Sequence, residues 1–269
     1  MAELLDATTC SVVQSQSSIA FSAAGEGPEY LWNRFLIVHG KPAYNLGNRC
    51  DTCSFLFERL EGANTGIDIG ELTAALAEGL KDLPTSVVYK LSQLMPASRY
   101  VVALLKVSPQ AVQLNGYNDY FATEQVENEG GVDPFWGIPH HPKVPYYRVQ
   151  SRSVVQTSFD LNGAETFEFI VPMVPETMLQ QDYVRRYESV LQAGGAPTAV
   201  ALSVLDVKGP AFDGVDHWCL AHYVLDGHHK IAAAAHTQSD ITLLAFIAVD
   251  YGVSSQNQVD LLLNTFAQT

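Results

Sequence analysis

The sequence predicts an α+β protein in two parts, a mixed α/β unit over residues 1–150 and a second unit over residues 151–269. Three observations carry that expectation. Continuous apolar runs at 99–107, 199–205 and 241–249 have the length and composition of strands covered on both faces. Apolar residues recur at helical spacing within 72–80, 86–95 and 182–193. A chain of 269 residues, 47% of them hydrophobic, also holds enough apolar surface for one large core or two modest ones, of which two are expected.

Residues 1–30 are rich in Ser, Ala and Gly with weak periodicity, which predicts an irregular lead-in. Residues 31–38 are strand-like, His39-Gly40-Lys41-Pro42 reads as a turn, and 43–46 as the returning strand of a hairpin. Asp68 and Glu71 have the spacing of a capping box before a helix bearing Leu72, Ala75, Leu76 and Leu80. A second helix over 86–95 puts Val88, Leu91 and Met95 on one face and ends at Pro96; the strand 99–107 stops before Pro109. Residues 115–148 have the Gly-, Pro- and aromatic-rich composition of a long loop, which either covers a site or fastens a connection through Trp136, Tyr146 and Tyr147. Strands at 149–159 and 165–174 flank the turn Asp160-Leu161-Asn162-Gly163. Helix 182–193, with the stripe Tyr183, Tyr187, Val190 and Leu191, stops at Gly194-Gly195.

A formal charge of -14, from 15 Lys and Arg against 29 Asp and Glu without a basic run, argues against a nucleic-acid partner. No stretch approaches the roughly 20 apolar residues of a membrane span, and the start lacks the pattern of a leader, so no membrane partner and a soluble, cytoplasmic protein are expected. Four cysteines, at 10, 50, 53 and 219, are too few for a disulfide framework in this length and are expected to be reduced. Cys50 and Cys53 form a Cys-x-x-Cys pair suited to Zn²⁺ or to redox chemistry, but a zinc site needs about two further ligands. These exist only at a distance, in His39, His140-His141, or His217, Cys219 and His222. On a strand His217 and Cys219 share a face and His222 takes the other. Two buried thiols at a helix start are the competing reading.

The most distinctive stretch is 223–235, where an apolar strand runs into Asp226-Gly227-His228-His229-Lys230 and then an alanine-rich helix. Gly227 suits a sharp turn, and Asp226 suits capping of the first helical amides. Those amides and the positive helix end make an anion site, with Lys230, His228 and His229 as cationic or neutral donors around it; phosphate is the natural occupant.

Asp226-Gly227-His228-His229-Lys230, followed by Ala232 to Ala234, resembles the Asp-Gly-His-His-Arg and Gly-x-x-Arg-x-x-Ala signatures of the ParB/sulfiredoxin superfamily, whose members bind nucleotides. Segments 167–174, 183–193, 194–197, 199–205 and 218–225 match the family's extended segment, helix, Gly-containing turn and two strands, so the resemblance covers about 175–249. It implies a ParB/sulfiredoxin-like C-terminal domain over 151–269. Sulfiredoxin chemistry needs a cysteine where this chain has His228-His229, and DNA partitioning needs a helix-turn-helix for which too little chain follows. The free serine kinases, which keep Asp-Gly-His-His, are most similar. The resemblance thus implies transfer or hydrolysis of a phosphoryl group, with ATP or ADP, Mg²⁺ and a small-molecule substrate. Phosphate would rest on Gly227, His228, His229 and Lys230, Asp226 would cap the turn or hold Mg²⁺, and one imidazole would contact the transferring group. Glu176 or Asp182 would take the substrate proton, or would instead act as a helix-start acid. Lys230 stands where the family has Arg, losing the bidentate fork. A nucleotide- or metabolite-sensing module and a zinc-stabilised structural protein are the competing classes.

Overall fold

The computed structural model describes residues 2–13, 17–23, 34–48, 55–128, 130–131, 144–154, 164–209 and 214–268. The strands are β1 (Glu3–Val12), β2 (Ile19–Ala23), β3 (Arg34–Val38), β4 (Lys41–Asn48), β5 (Phe55–Arg59), β6 (Ser98–Val107), β7 (Gln110–Ala111), β8 (Tyr147–Val154), β9 (Ala164–Pro172), β10 (Thr198–Lys208), β11 (Asp216–Asp226) and β12 (Ile241–Ala248). The helices are α1 (Thr73–Glu78), α2 (Thr85–Ser92), α3 (Glu124–Asn128), α4 (Gln181–Gln192), α5 (His228–Thr237) and α6 (Gln256–Ala267). The fold is therefore mixed α+β.

Eight strands form one sheet in the order β1-β6-β12-β10-β11-β9-β8-β7, and β2-β3-β4-β5 form a second. The larger sheet takes strands from both sides of residue 150, which itself lies within β8. At its centre β10 and β11 are antiparallel, while β12 runs parallel to β10 and β9 parallel to β11. Alternate residues of the central strands supply two cores. Val102, Leu104, Phe167, Phe169, Leu202 and Tyr223 meet the small sheet and α1 and α2; Ala103, Leu105, Ala201, Leu220, Val224 and Leu243 meet α4, α5 and α6. Burial on both faces is why these strands read as unbroken apolar runs.

The hairpin forms as expected, β3 pairing antiparallel with β4 through a turn in which His39 and Gly40 both have positive φ. The described residues within 1–30 depart from the expected lead-in. β1 pairs with β6 along its length, and β2 pairs with β3. As the outer strand of the sheet, β1 buries none of its side chains fully and needs no apolar run; its pairing with β6 fixes it. The capping box at Asp68 is absent, since Asp68 Oδ1 accepts from Gly70 N at 2.8 Å and Glu71 pairs with Lys90. A true one occurs at the start of α6, between Ser255 and Gln258. In the segment 115–148, Tyr146 and Tyr147 are buried packing residues, and Trp136 lies outside the described residues.

Candidate functional site

β11 ends at Asp226, Gly227 turns the chain at φ +97°, and α5 begins at His228. The turn is tight because the backbone of 227 lies against β10: a Cβ there would stand 2.7 Å from Ala199 Cβ. Ile231 N donates to Gly227 O at 2.9 Å, the first bond of the helix, and no side chain caps the helix start. The uncapped first-turn amides and the helix dipole therefore favour an anion there.

Asp226 does not cap. Its Oδ2 accepts from Lys230 Nζ at 3.1 Å, and the same ammonium donates to Thr198 O at 2.7 Å, leaving one of its three donors over. Lys230 is buried, which lowers its pKa against the opposing pull of Asp226, and its Nζ lies 5.9 Å from the Tyr187 ring centroid.

The two imidazoles act as acceptors. His228 Nε2 accepts from Met173 N at 3.0 Å and Val174 N at 3.2 Å, while His229 Nε2 accepts from Gln180 N at 3.2 Å. Each neutral ring then carries its proton on Nδ1. Burial lowers the pKa of both, His228 to about 4, with His229 and Arg59 adding to the effect on His228. Neither ring is a cation near neutral pH. Both fasten the segment 173–180 to the start of α5.

The motif borders a cleft with two lobes. The first, of about 150 Å³, is lined by Thr73, Tyr183, Tyr187 and Lys230 besides Asp226, Gly227 and His229. The second, of about 230 Å³, shares those last three residues and is otherwise mostly aliphatic, with Ile67, Val174, Met178, Leu179 and Leu225 in its wall. Tyr183 departs from the expected buried stripe: α4 buries Val184 and Leu191, and Tyr183 turns outward with its ring 5.5 Å from that of His229. Another cleft, of about 300 Å³ between β1 and α2, is lined by neutral side chains such as Thr8, Thr85 and Gln93 and holds no acid–base pair.

Glu176 and Asp182 line neither lobe. Glu176 Oε1 lies 2.9 Å from His236 Nε2 in the last turn of α5, and Glu188 Oε1 lies 3.0 Å from Nδ1 of the same ring. Asp182 pairs with Arg185, one turn along α4. Among the described residues, Asp226 is thus the carboxylate that lines the cleft. Cys50 and Cys53 lie outside the described residues, and no group of three potential metal ligands occurs among the described ones.

One arrangement was missed by sequence reasoning. Ser203 Oγ lies 2.7 Å from His222 Nδ1, and His222 Nε2 lies 3.1 Å from Glu168 Oε1, across β10, β11 and β9. The order mimics a nucleophile, base and acid, but all three are buried beneath the helices and none lines a lobe, so it is an interior network. His217 and Cys219 occupy the opposite face, as strand alternation requires, with His217 Nδ1 2.9 Å and Cys219 Sγ 3.6 Å from the Tyr120 hydroxyl. Burial pushes the Cys219 thiol up to about 12, which makes it unreactive.

Compared with protein-family models, curated proteins and solved structures, the chain matches none. No helix among the described residues is long and apolar enough to cross a membrane.

Proposed function

We propose that the protein is a cytoplasmic, ParB/sulfiredoxin-like nucleotide-binding enzyme that transfers or hydrolyses a phosphoryl group at the Asp226–Lys230 turn. One observation carries the reading: a left-handed glycine opens an uncapped ten-residue helix bordering a cleft, beside a buried lysine. The succession β9, α4, β10, β11, turn and α5 follows the order expected from the resemblance, which adds support. In this reading phosphate oxygens accept from the amides of 228–230 and from the spare Lys230 donor, Asp226 serves Mg²⁺ or the substrate proton, and His228 and His229 hold the cleft wall.

The second reading, a non-catalytic nucleotide or metabolite sensor, is favoured by one fact: Glu176 and Asp182 are engaged elsewhere, which leaves the cleft with Asp226 as its carboxylate. Thermal unfolding with ATP, ADP and CTP, each with and without Mg²⁺, together with assay of phosphate release, separates the two. Stabilisation with turnover supports the enzyme and stabilisation without turnover the sensor. No response to any nucleotide overturns both.

A further inference from the structure

The two lobes differ in chemistry. The first carries phenol rings, a threonine hydroxyl and the Lys230 ammonium; the second carries five aliphatic or thioether side chains, the Gln180 amide and backbone at Gly66. An aromatic base finds ring partners in the first lobe, where Tyr183 is 48% exposed beside the His229 ring. The second offers no phenyl, phenol or indole face. Among the described residues it also offers no fixed cation. Lys230 lines only the first lobe, burial keeps His228 neutral above about pH 4 and lowers the pKa of His229, and Arg59 outside the lobe is engaged by Asn64 Oδ1 and Met173 O. A carboxylate entering there would meet no side-chain cation, and in the nucleotide reading the α5 amides at the lobe's edge are taken by phosphate.

Resting on the nucleotide reading, we infer that the second lobe is the acceptor subsite and selects an uncharged, largely aliphatic alcohol rather than an amino acid or other hydroxy acid. Its volume of about 230 Å³ matches roughly eight waters at liquid density, room for an alcohol of about seven heavy atoms. Asp226, Gly227 and His229 border both lobes, so the transferring phosphorus lies where they meet. The acceptor oxygen bonds to the terminal phosphorus of a nucleoside triphosphate. The bond from that phosphorus to its bridging oxygen breaks, its electron pair leaves with the nucleoside diphosphate, and the hydroxyl proton passes to Asp226.

The test uses the intact chain and ligand-observed NMR with 1-butanol, 1-hexanol and L-serine, and a separate titration with ATP and Mg²⁺. Both alcohols bind, the longer one tighter by about fourfold per added methylene, and serine does not. Met178→Lys, at a side chain 57% exposed and therefore outside the folding core, weakens 1-hexanol about tenfold and admits serine. Ile67→Asp, at a second lining residue, also weakens 1-hexanol and guards against an effect peculiar to Met178. With ATP present, ³¹P NMR shows an alkyl phosphate. Serine binding in preference to the alcohols, or alcohol binding indifferent to both substitutions, overturns the subsite while ATP binding stands. Alcohol binding without any ATP binding overturns the nucleotide reading and the acceptor role together.

Discussion

Gly227→Ala tests the turn on which the site depends. The added methyl would meet Ala199 Cβ at 2.7 Å and Ala199 Cα at 2.9 Å, well inside the usual 3.5–4.0 Å carbon contact. Ala199 cannot recede easily, because β10 is held by β11 on one side and β12 on the other. The backbone at φ +97° adds a second cost, since a residue with a Cβ pays about 1–2 kcal/mol in left-handed conformations. Overpacking of this kind adds about 1–3 kcal/mol, so the substitution should destabilise by about 2–5 kcal/mol. Urea unfolding without ligand measures it, and the melting temperature should fall by about 5–15 °C in a chain of this size. A cycle with Ala199→Gly separates the two causes. Removing the Ala199 methyl relieves the 2.7 Å contact but leaves the 2.9 Å contact and the φ, so the double variant regains only part of the loss. A change below about 0.5 kcal/mol for Gly227→Ala, or strict additivity in the cycle, would refute the account of the turn.

Lys230→Met leaves Asp226 Oδ2 and Thr198 O without their donor. Because the Asp226 side chain is 27% exposed, the cost in urea unfolding should be about 1–3 kcal/mol, and phosphate affinity measured by calorimetry should fall tenfold or more. His228→Gln retains an acceptor for the amides of 173 and 174 but does not titrate. In the parent, the unfolded chain binds a proton near pH 6.5 and the folded ring only near pH 4, so stability present above 6.5 is lost as pH falls between these values. That loss is about 3 kcal/mol, and it should be missing from the variant's stability-against-pH curve; parallel curves would count against a neutral His228. His236 behaves oppositely, its pKa raised first by Glu188 and then by Glu176. Its contribution is complete below about pH 6.5 and fades as pH rises through the higher folded value, so the deficit of His236→Gln, about 0.5 kcal/mol at this exposed site, should shrink between pH 6 and pH 9.

The central strands and the strand–turn–helix at 223–235 were legible because local composition decides them. Doubly buried strands show as apolar runs, and Asp-Gly before an alanine run shows as a turn and helix. β1 was not legible, since an outer strand with no buried side chain carries no such run and is defined by β6, some ninety residues away. Tyr183 was misassigned because helical spacing alone does not reveal which arc of α4 faces the sheet. The site was legible in its backbone and not in its side chains. The partners of His228, His229 and Glu176 are Met173, Val174, Gln180 and His236, set by the packing of 173–180 along α5, which no spacing within the motif encodes. The Ser203, His222 and Glu168 network is hidden for the same reason, its members standing on three different strands.

The motif is also a structural joint, and this shapes how its chemistry must be tested. Asp226 holds Lys230, and His228 and His229 hold the wall of the aliphatic lobe, so deleting any of them disturbs structure and ligand binding together. Asp226→Asn is the least disruptive probe, since the amide oxygen can still accept from Lys230 while the charge is gone. Phosphate and the Asp226 carboxylate compete for the same ammonium, so removing the negative charge should leave metal-free nucleotide binding unchanged or tighter, by about 0.5–1.5 kcal/mol. If Asp226 takes the substrate proton or holds Mg²⁺, turnover should nonetheless fall by about 100-fold or more, and in the second case any strengthening of binding by Mg²⁺ should disappear. A sensor would show the tighter binding with no turnover to lose. Weaker metal-free binding in Asp226→Asn would contradict both, for it would mean that the anion does not sit beside Lys230 at all.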